Sequence, residues 1–199
     1  MNHPQFEFID IYALTAEDLS AAISLMTPCK RERVTHMTHE DDRRRSAAAE
    51  HLARRMVSRK FGLPPEQVTI GSLESGQPMV VGLPCHISLS HSGRWAMCAL
   101  SDHPVGADIE VVSGRGQRAM SRVCAPAEQE YILASGEFDP VRFTEVWTAK
   151  EACVKRTGAG LSGGLSNFVT AGAAGLFTEV DGCRLISGRL EDAVYAVVF

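Results

Sequence analysis

The pattern of apolar and polar positions divides the chain into recognisable pieces. FEFIDIYAL (6–14) has strand character, and TAEDLSAAISLM (15–26) reads as a helix with Thr15 as N-cap and Asp18 at the capping-box position. Residues 40–61 form the strongest helical pattern of the first half. Ala48, Leu52 and Met56 (or Ala53 and Val57) make one apolar stripe, the arginines take the other faces, and Gly62-Leu63-Pro64-Pro65 ends the helix.

A β-rich stretch follows. VTIGSLESGQPMVV (68–81) contains turns, and HISLS (86–90) and WAMCALS (95–101) flank HSGR as a hairpin or tight connection. PVGADIEVV (104–112) alternates strictly, with Val105, Ala107, Ile109 and Val111 on one face and Asp108 and Glu110 on the other. Residues 114–135 read as loop, helix, a turn at Pro126 and a second helix. VRFTEVWTAKEACVKRTG (141–158) is a helix ended by Gly158. The remainder reads as strands, with a hairpin signal at Asp181-Gly182 and a terminal strand over 193–199. Strand, helices, strands, then helices and strands again is not the alternation of a doubly wound sheet. The order suggests an α+β fold of two similar lobes, 1–103 and 104–199, joined near His103–Val105. No sequence repeat occurs at fixed spacing.

At 199 residues, 45% of them hydrophobic and 22% charged, the chain has the make-up of an ordinary globular protein. A net charge of −4 argues against a dedicated nucleic-acid binder, but the charge is uneven: residues 30–60 hold ten Lys or Arg against five Asp or Glu. A basic segment in an acidic protein suits a local anionic partner, such as a phosphate or an acidic protein surface; a solvated helix face laced with ion pairs is the plainer reading. The six cysteines form no C-x-x-C and no zinc framework, and Cys98 and Cys153 fall in apolar patterns as core residues. MNHPQFEFID has no basic n-region or apolar h-region, and no apolar run is long enough to span a bilayer. The expectation is a cytoplasmic protein with reduced thiols and no membrane contact.

Three clusters could carry chemistry. Asp108 and Glu110 lie about 6.5–7 Å apart along their strand. The ordinary reading is a solvated sheet face; the sharper one is a shared cation, for which hard oxygens suit Mg²⁺. On the helix WTAKEACVK, Glu151 is four residues from both Trp147 and Lys155, so the three share a face. A surface Glu–Lys pair is the ordinary reading; a carboxylate and an ammonium beside an aromatic could also serve as base, metal ligand and phosphate partner. In SLSHSGRW, His91 lies in a serine-rich turn and could donate to a phosphate oxygen, although a lone turn histidine is more often structural. RTGAGLSGG (156–164) is glycine-rich but lacks G-K-[ST], so it is no P-loop.

SLSHSG, then VGADIE about 15 residues on, then WTAKEACVK about 40 residues further, resembles the three motifs of the Sfp-type 4′-phosphopantetheinyl transferases, in order and spacing. SGQP (75–78) resembles that family's G-K-P turn, and KRER (30–33) with RRRS (43–46) its basic N-terminal region. The resemblance implies two lobes related by a pseudo-twofold axis, the active site in the cleft between them, and a monomer. It implies transfer of the 4′-phosphopantetheine arm of coenzyme A to a serine of an apo acyl or peptidyl carrier protein, with release of 3′,5′-ADP. By the matched motifs, Asp108, Glu110 and Glu151 would hold Mg²⁺, Glu151 would be the base, and Lys155 would stabilise or protonate the leaving group. Lys150 would contact phosphate or help to position Glu151.

The same resemblance gives Lys30, Arg33 and Arg45, with Ser90 and His91, to the 3′-phosphate of coenzyme A, and Gly76, Gln77 and Pro78 to its adenine. Gln77 stands where relatives have Lys and removes one cation; Ala107 replaces a larger residue. Val123-Cys124-Ala125 departs from the family pattern in a region that borders the carrier groove of relatives. By the same resemblance, basic residues with an apolar spot over 115–135 would make a docking surface for an acidic carrier. Two rival readings are a non-catalytic relative that binds coenzyme A or a carrier, and another Mg²⁺-dependent pyrophosphate-cleaving phosphotransferase. The intact set Asp108, Glu110, Glu151 and Lys155 counts against the first.

Overall fold

In a computed structural model, the chain is α+β and divides into two compact units, Met1–Val105 and Gly106–Phe199. The structure describes residues 3–158 and 165–199; most of the glycine-rich run 156–164 therefore lies outside the described residues.

The first unit is a three-stranded antiparallel sheet covered by helices. Strand β1 (Gln5–Asp10) is followed by α1 (Ala16–Ser24), α2 (Pro28–Thr35) and α3 (Glu40–Phe61). A small hairpin pairs β2 (Ile70–Ser72) with β3 (Pro78–Val80), and β4 (His86–Ser92) turns into β5 (Trp95–Ser101). The sheet order is β1-β5-β4, so the wholly buried β5 is central. The capping box of α1 forms as its sequence requires: Thr15 Oγ1 accepts from the Asp18 amide at 3.1 Å, and Asp18 Oδ2 accepts from the Thr15 amide at 3.0 Å. Gly62 ends α3 at φ 66°, a left-handed cap that favours glycine. Ala48, Leu52, Ala53, Met56 and Val57 are buried, so α3 presents both alternative stripes to the core and not one.

Two expectations need correction here. Strand β1 ends at Asp10 and not at residue 14, because Ile11 to Leu14 turn, with the Ala13 amide donating to the Asp10 carbonyl. The apolar pattern predicts no helix over 28–35; Pro28 at the first position nucleates α2, whose polar run hides the signal.

The second unit repeats the helix-on-sheet logic with a four-stranded sheet of order β6-β11-β10-β9. Its elements are β6 (Gly106–Val111), α4 (Gln117–Val123), α5 (Pro126–Ile132), α6 (Pro140–Thr157), the short hairpin β7 (Ala171–Gly172) and β8 (Gly175–Leu176), then β9 (Glu179–Val180), β10 (Cys183–Leu190) and β11 (Ala193–Val198). Val180 pairs with Cys183 across the Asp181-Gly182 loop, both of whose residues have positive φ, 49° and 73°. α6 packs on β6 and β11, and Gly158 caps it at φ 71°. Ala149, Ala152 and Cys153 of α6 form one core with Leu185, Ala196 and Val198; Phe143 and Val146 form another with Val123 and Ile132. All six cysteines are free; Cys98, Cys124 and Cys153 are buried, and burial pushes the thiols of Cys124 and Cys153 up to about 11 and about 12.

Candidate functional site

The Asp108/Glu110 face of β6 meets a helix, not water. Gly106, Asp108 and Glu110 alternate onto the same face. A Cβ at Gly106 would stand 1.9 Å from the Ala152 carbonyl oxygen and 2.5 Å from the Arg156 nitrogen, so the glycine lets α6 lie directly on β6. Asp108 is then 5% exposed, and its Oδ1 accepts from Lys155 Nζ at 2.6 Å. The repulsion implied by two carboxylates on one strand is eased by a lysine from the facing helix.

Glu151 projects from the same side of α6. Burial pushes its carboxyl above the ordinary range, the charges of Asp108 and Glu110 push it further, and Lys155 partly opposes them. The structure therefore brings Asp108, Glu110, Glu151 and Lys155 into one electrostatically coupled group. Among the described residues, no three His, Cys, Asp or Glu side chains gather tightly enough to hold a metal ion by themselves. Beside Glu110, a cavity of about 260 Å³ is lined by Val111, Arg115, Gly116, Phe143 and Trp147 among others. The Phe143 and Trp147 rings stack with centroids 6.1 Å apart, and Gly116 sits so close to Phe143 that a Cβ there would overlap the ring.

Lys150 stands apart from this group. The sequence reading has it contact phosphate or help to position Glu151; in the structure the residue is 0% exposed. Its ammonium lies 2.8 Å from Glu128 Oε2 and donates to the carbonyls of Leu165 at 3.0 Å and of Phe168. An ammonium has three protons, and these three partners use them all. Glu128, equally buried, also accepts from the Ala125 amide at 2.7 Å and from the Thr170 amide and hydroxyl at 2.7 and 3.0 Å. Lys150 is a structural residue that ties α5, α6 and the segment before β7 together.

In the first unit, Ser90 is buried and His91 exposed, both on β4 and not in a turn, because the strand runs on to Ser92 and only Gly93 and Arg94 form the loop. Arg45 donates to Asp42 Oδ1 at 2.6 Å and to the Gly93 carbonyl at 2.9 Å, so the loop next to His91 is held to α3. Lys30 Nζ lies 2.5 Å from Glu50 Oε2. Glu50 is buried and also pairs with Arg54, which donates to the carbonyls of Leu25 and Val68. Lys30 thus helps to neutralise a buried carboxylate. Arg33 is exposed on α2. Gly76, Gln77 and Pro78 close the β2–β3 hairpin, where Gly76 takes φ 83° and donates to the Leu73 carbonyl at 2.9 Å.

Sequence reasoning missed Gly106, Asp42 and the Glu50 and Glu128 networks. The only local signals were the glycine two residues before Asp108 and the i,i+3 spacing of Asp42 and Arg45.

Comparison with known proteins assigns the chain to a family. Residues 104–185 match the model of the 4′-phosphopantetheinyl transferase superfamily, and residues 12–103 match that of the 4′-phosphopantetheinyl transferase N-terminal region. The chain is 31% identical to 4′-phosphopantetheinyl transferase Sfp of Bacillus subtilis (strain 168) over 157 residues, 78% of this chain and 70% of the relative. It is 36% identical over 129 residues to 4′-phosphopantetheinyl transferase psf-1 of Bacillus pumilus, covering 64% of this chain and 55% of that protein. With 4′-phosphopantetheinyl transferase gsp of Aneurinibacillus migulanus the identity is 30% over 133 residues, 66% of this chain and 56% of the relative.

Proposed function

Because the chain belongs to the 4′-phosphopantetheinyl transferase superfamily, we propose that it moves the 4′-phosphopantetheine arm of coenzyme A onto a serine hydroxyl of an apo acyl or peptidyl carrier protein. The observation that carries the proposal is the coupled group Asp108, Glu110, Glu151 and Lys155, assembled by the approach of α6 to β6 at Gly106.

The serine oxygen attacks the phosphorus next to pantetheine. One P–O bond forms, the pyrophosphate bridge breaks, and 3′,5′-ADP leaves. Serine is a poor nucleophile and pyrophosphate is anionic, so the site must supply a base, a fixed line of attack and positive charge. Glu151 takes the serine proton as general base. Lys155 exchanges its pairing with Asp108 for the leaving phosphate and neutralises or protonates it.

Mg²⁺ fits the donor set. Asp108, Glu110 and Glu151 supply hard oxygens; burial raises Glu151 most, and the repulsion that Asp108 and Glu110 add is what a cation relieves. Mg²⁺ usually takes one or two carboxylates with substrate phosphates and waters, so the three carboxylates need not close around the ion by themselves. When bound, the ion would withdraw charge from the pyrophosphate oxygens.

For the nucleotide, the first unit offers Arg45, Arg33, His91 and Ser90 toward the 3′-phosphate and the Gly76–Pro78 turn toward adenine. Lys30 adds to this set while remaining paired with Glu50. For the carrier, Arg115, Arg118 and Arg122 are exposed on and beside α4, next to the apolar cavity at Glu110, and suit an acidic helix with an apolar side chain. The protein acts as a cytoplasmic monomer. No helix among the described residues is long and apolar enough to cross a membrane.

Release of 3′,5′-ADP tests the reaction. It should require Mg²⁺ and an apo carrier with its serine intact. Release without carrier would instead support a pyrophosphate-cleaving enzyme.

A further inference from the structure

Arg45 is held before any ligand arrives. Its Nη2 donates to Asp42 Oδ1 at 2.6 Å, within the first turns of α3, and its Nη1 donates to the Gly93 carbonyl at 2.9 Å. Gly93 takes φ 55° at the tip of the β4–β5 hairpin. A guanidinium carries five N–H donors, so three remain after these two bonds. The Arg45 side chain is 19% exposed. The Asp42 carboxyl is held below its usual range, chiefly by the Arg45 hydrogen bond, with smaller contributions from Arg45 charge, His39 and His91. One carboxylate therefore lies within electrostatic reach of an arginine and two imidazoles.

We propose that Asp42 is a positioning residue for the nucleotide phosphate of coenzyme A: it fixes the Arg45 guanidinium against the β4–β5 hairpin and does not itself touch the ligand. The proposal rests on the assignment of Arg45 to the 3′-phosphate made above. Two effects of Asp42 oppose each other. Its negative charge repels a phosphate, and its hydrogen bond spares Arg45 the loss of rotamer freedom on binding. The side chain is 46% exposed, so solvent screens the repulsion, whereas the direct bond keeps its geometric effect. Positioning therefore outweighs repulsion.

Kinetics of Asp42→Ala, Asp42→Asn and Arg45→Ala with coenzyme A and dephospho-coenzyme A separate the possibilities. Arg45→Ala should raise the KM for coenzyme A by about tenfold or more and leave that for dephospho-coenzyme A nearly unchanged. Asp42→Ala should raise only the coenzyme A KM, by about three- to fivefold, with kcat and the carrier KM unchanged. Asp42→Asn keeps an oxygen acceptor for Arg45 and should restore wild-type behaviour. A lower coenzyme A KM in Asp42→Ala, an equal rise for both substrates, or no rescue by Asn would overturn the role of Asp42 while leaving that of Arg45 standing. An equal effect of Arg45→Ala on both substrates would overturn the assignment of Arg45, and this proposal with it.

Discussion

The Ala152 carbonyl oxygen lies where a side chain at Gly106 would begin, 1.9 Å from the position of its Cβ. The obstructing atoms are backbone, so no rotamer change relieves the overlap. Four consequences line up behind this contact: α6 lies flat on β6, Asp108 is buried, Lys155 reaches it at 2.6 Å, and Glu151 feels both strand carboxylates.

Gly106→Ala should therefore push α6 away from β6 while both elements still form. Misplacing reacting groups by about 1 Å can cost about 100-fold in rate, and a loss of that size in kcat is expected, with the coenzyme A KM changing much less. Circular dichroism should report intact secondary structure. Near-normal turnover would mean that the close approach does not set the site.

Asp108→Ala removes the carboxylate that Lys155 now holds and one proposed Mg²⁺ ligand. Turnover should fall at least about 100-fold at any Mg²⁺ concentration, as when a group that stabilises transition-state charge is lost. Urea unfolding should change little in midpoint. Activity recovered by raising Mg²⁺ would assign Asp108 to ion affinity alone.

The Glu128–Lys150 pair makes the opposite prediction. Lys150→Met leaves a buried carboxylate with no cation, a change that typically costs about 3–5 kcal/mol. Unfolding by urea should show the loss, and Glu128→Gln combined with Lys150→Met should recover part of it. If Lys150→Met instead kept full stability and raised the coenzyme A KM, the residue would belong to the substrate site after all.

Arg118→Glu with Arg122→Glu tests the carrier surface. Both side chains are exposed on α4, so stability should hold. The KM for an acidic carrier should rise about tenfold and the salt dependence of that KM should weaken, with coenzyme A unaffected. An unchanged carrier KM would move the docking surface elsewhere.

What could be read from the sequence was local. The Thr15/Asp18 box, the Gly62 and Gly158 caps and the Asp181-Gly182 loop are set by neighbours a few residues apart, and each forms. The i,i+4 spacing likewise placed Trp147, Glu151 and Lys155 on one helix face. The alternation over 104–112 sorted Asp108 and Glu110 from the apolar residues but could not say what covers them. Lys150 reads like its neighbour Glu151, yet Glu128, 22 positions away, buries it. Pairing of Lys30 with Glu50 and of Arg45 with the Gly93 carbonyl also depends on how helices settle on the sheet, which no run of adjacent residues encodes.

The most direct test of the central claim is the intact mass of an apo carrier protein after incubation with this protein, coenzyme A and Mg²⁺. The carrier should gain one phosphopantetheine on its serine, with no gain when that serine is replaced by alanine and a gain at least about 100-fold slower with Asp108→Ala. No gain with acyl and peptidyl carriers alike, from protein shown to be folded, would contradict it.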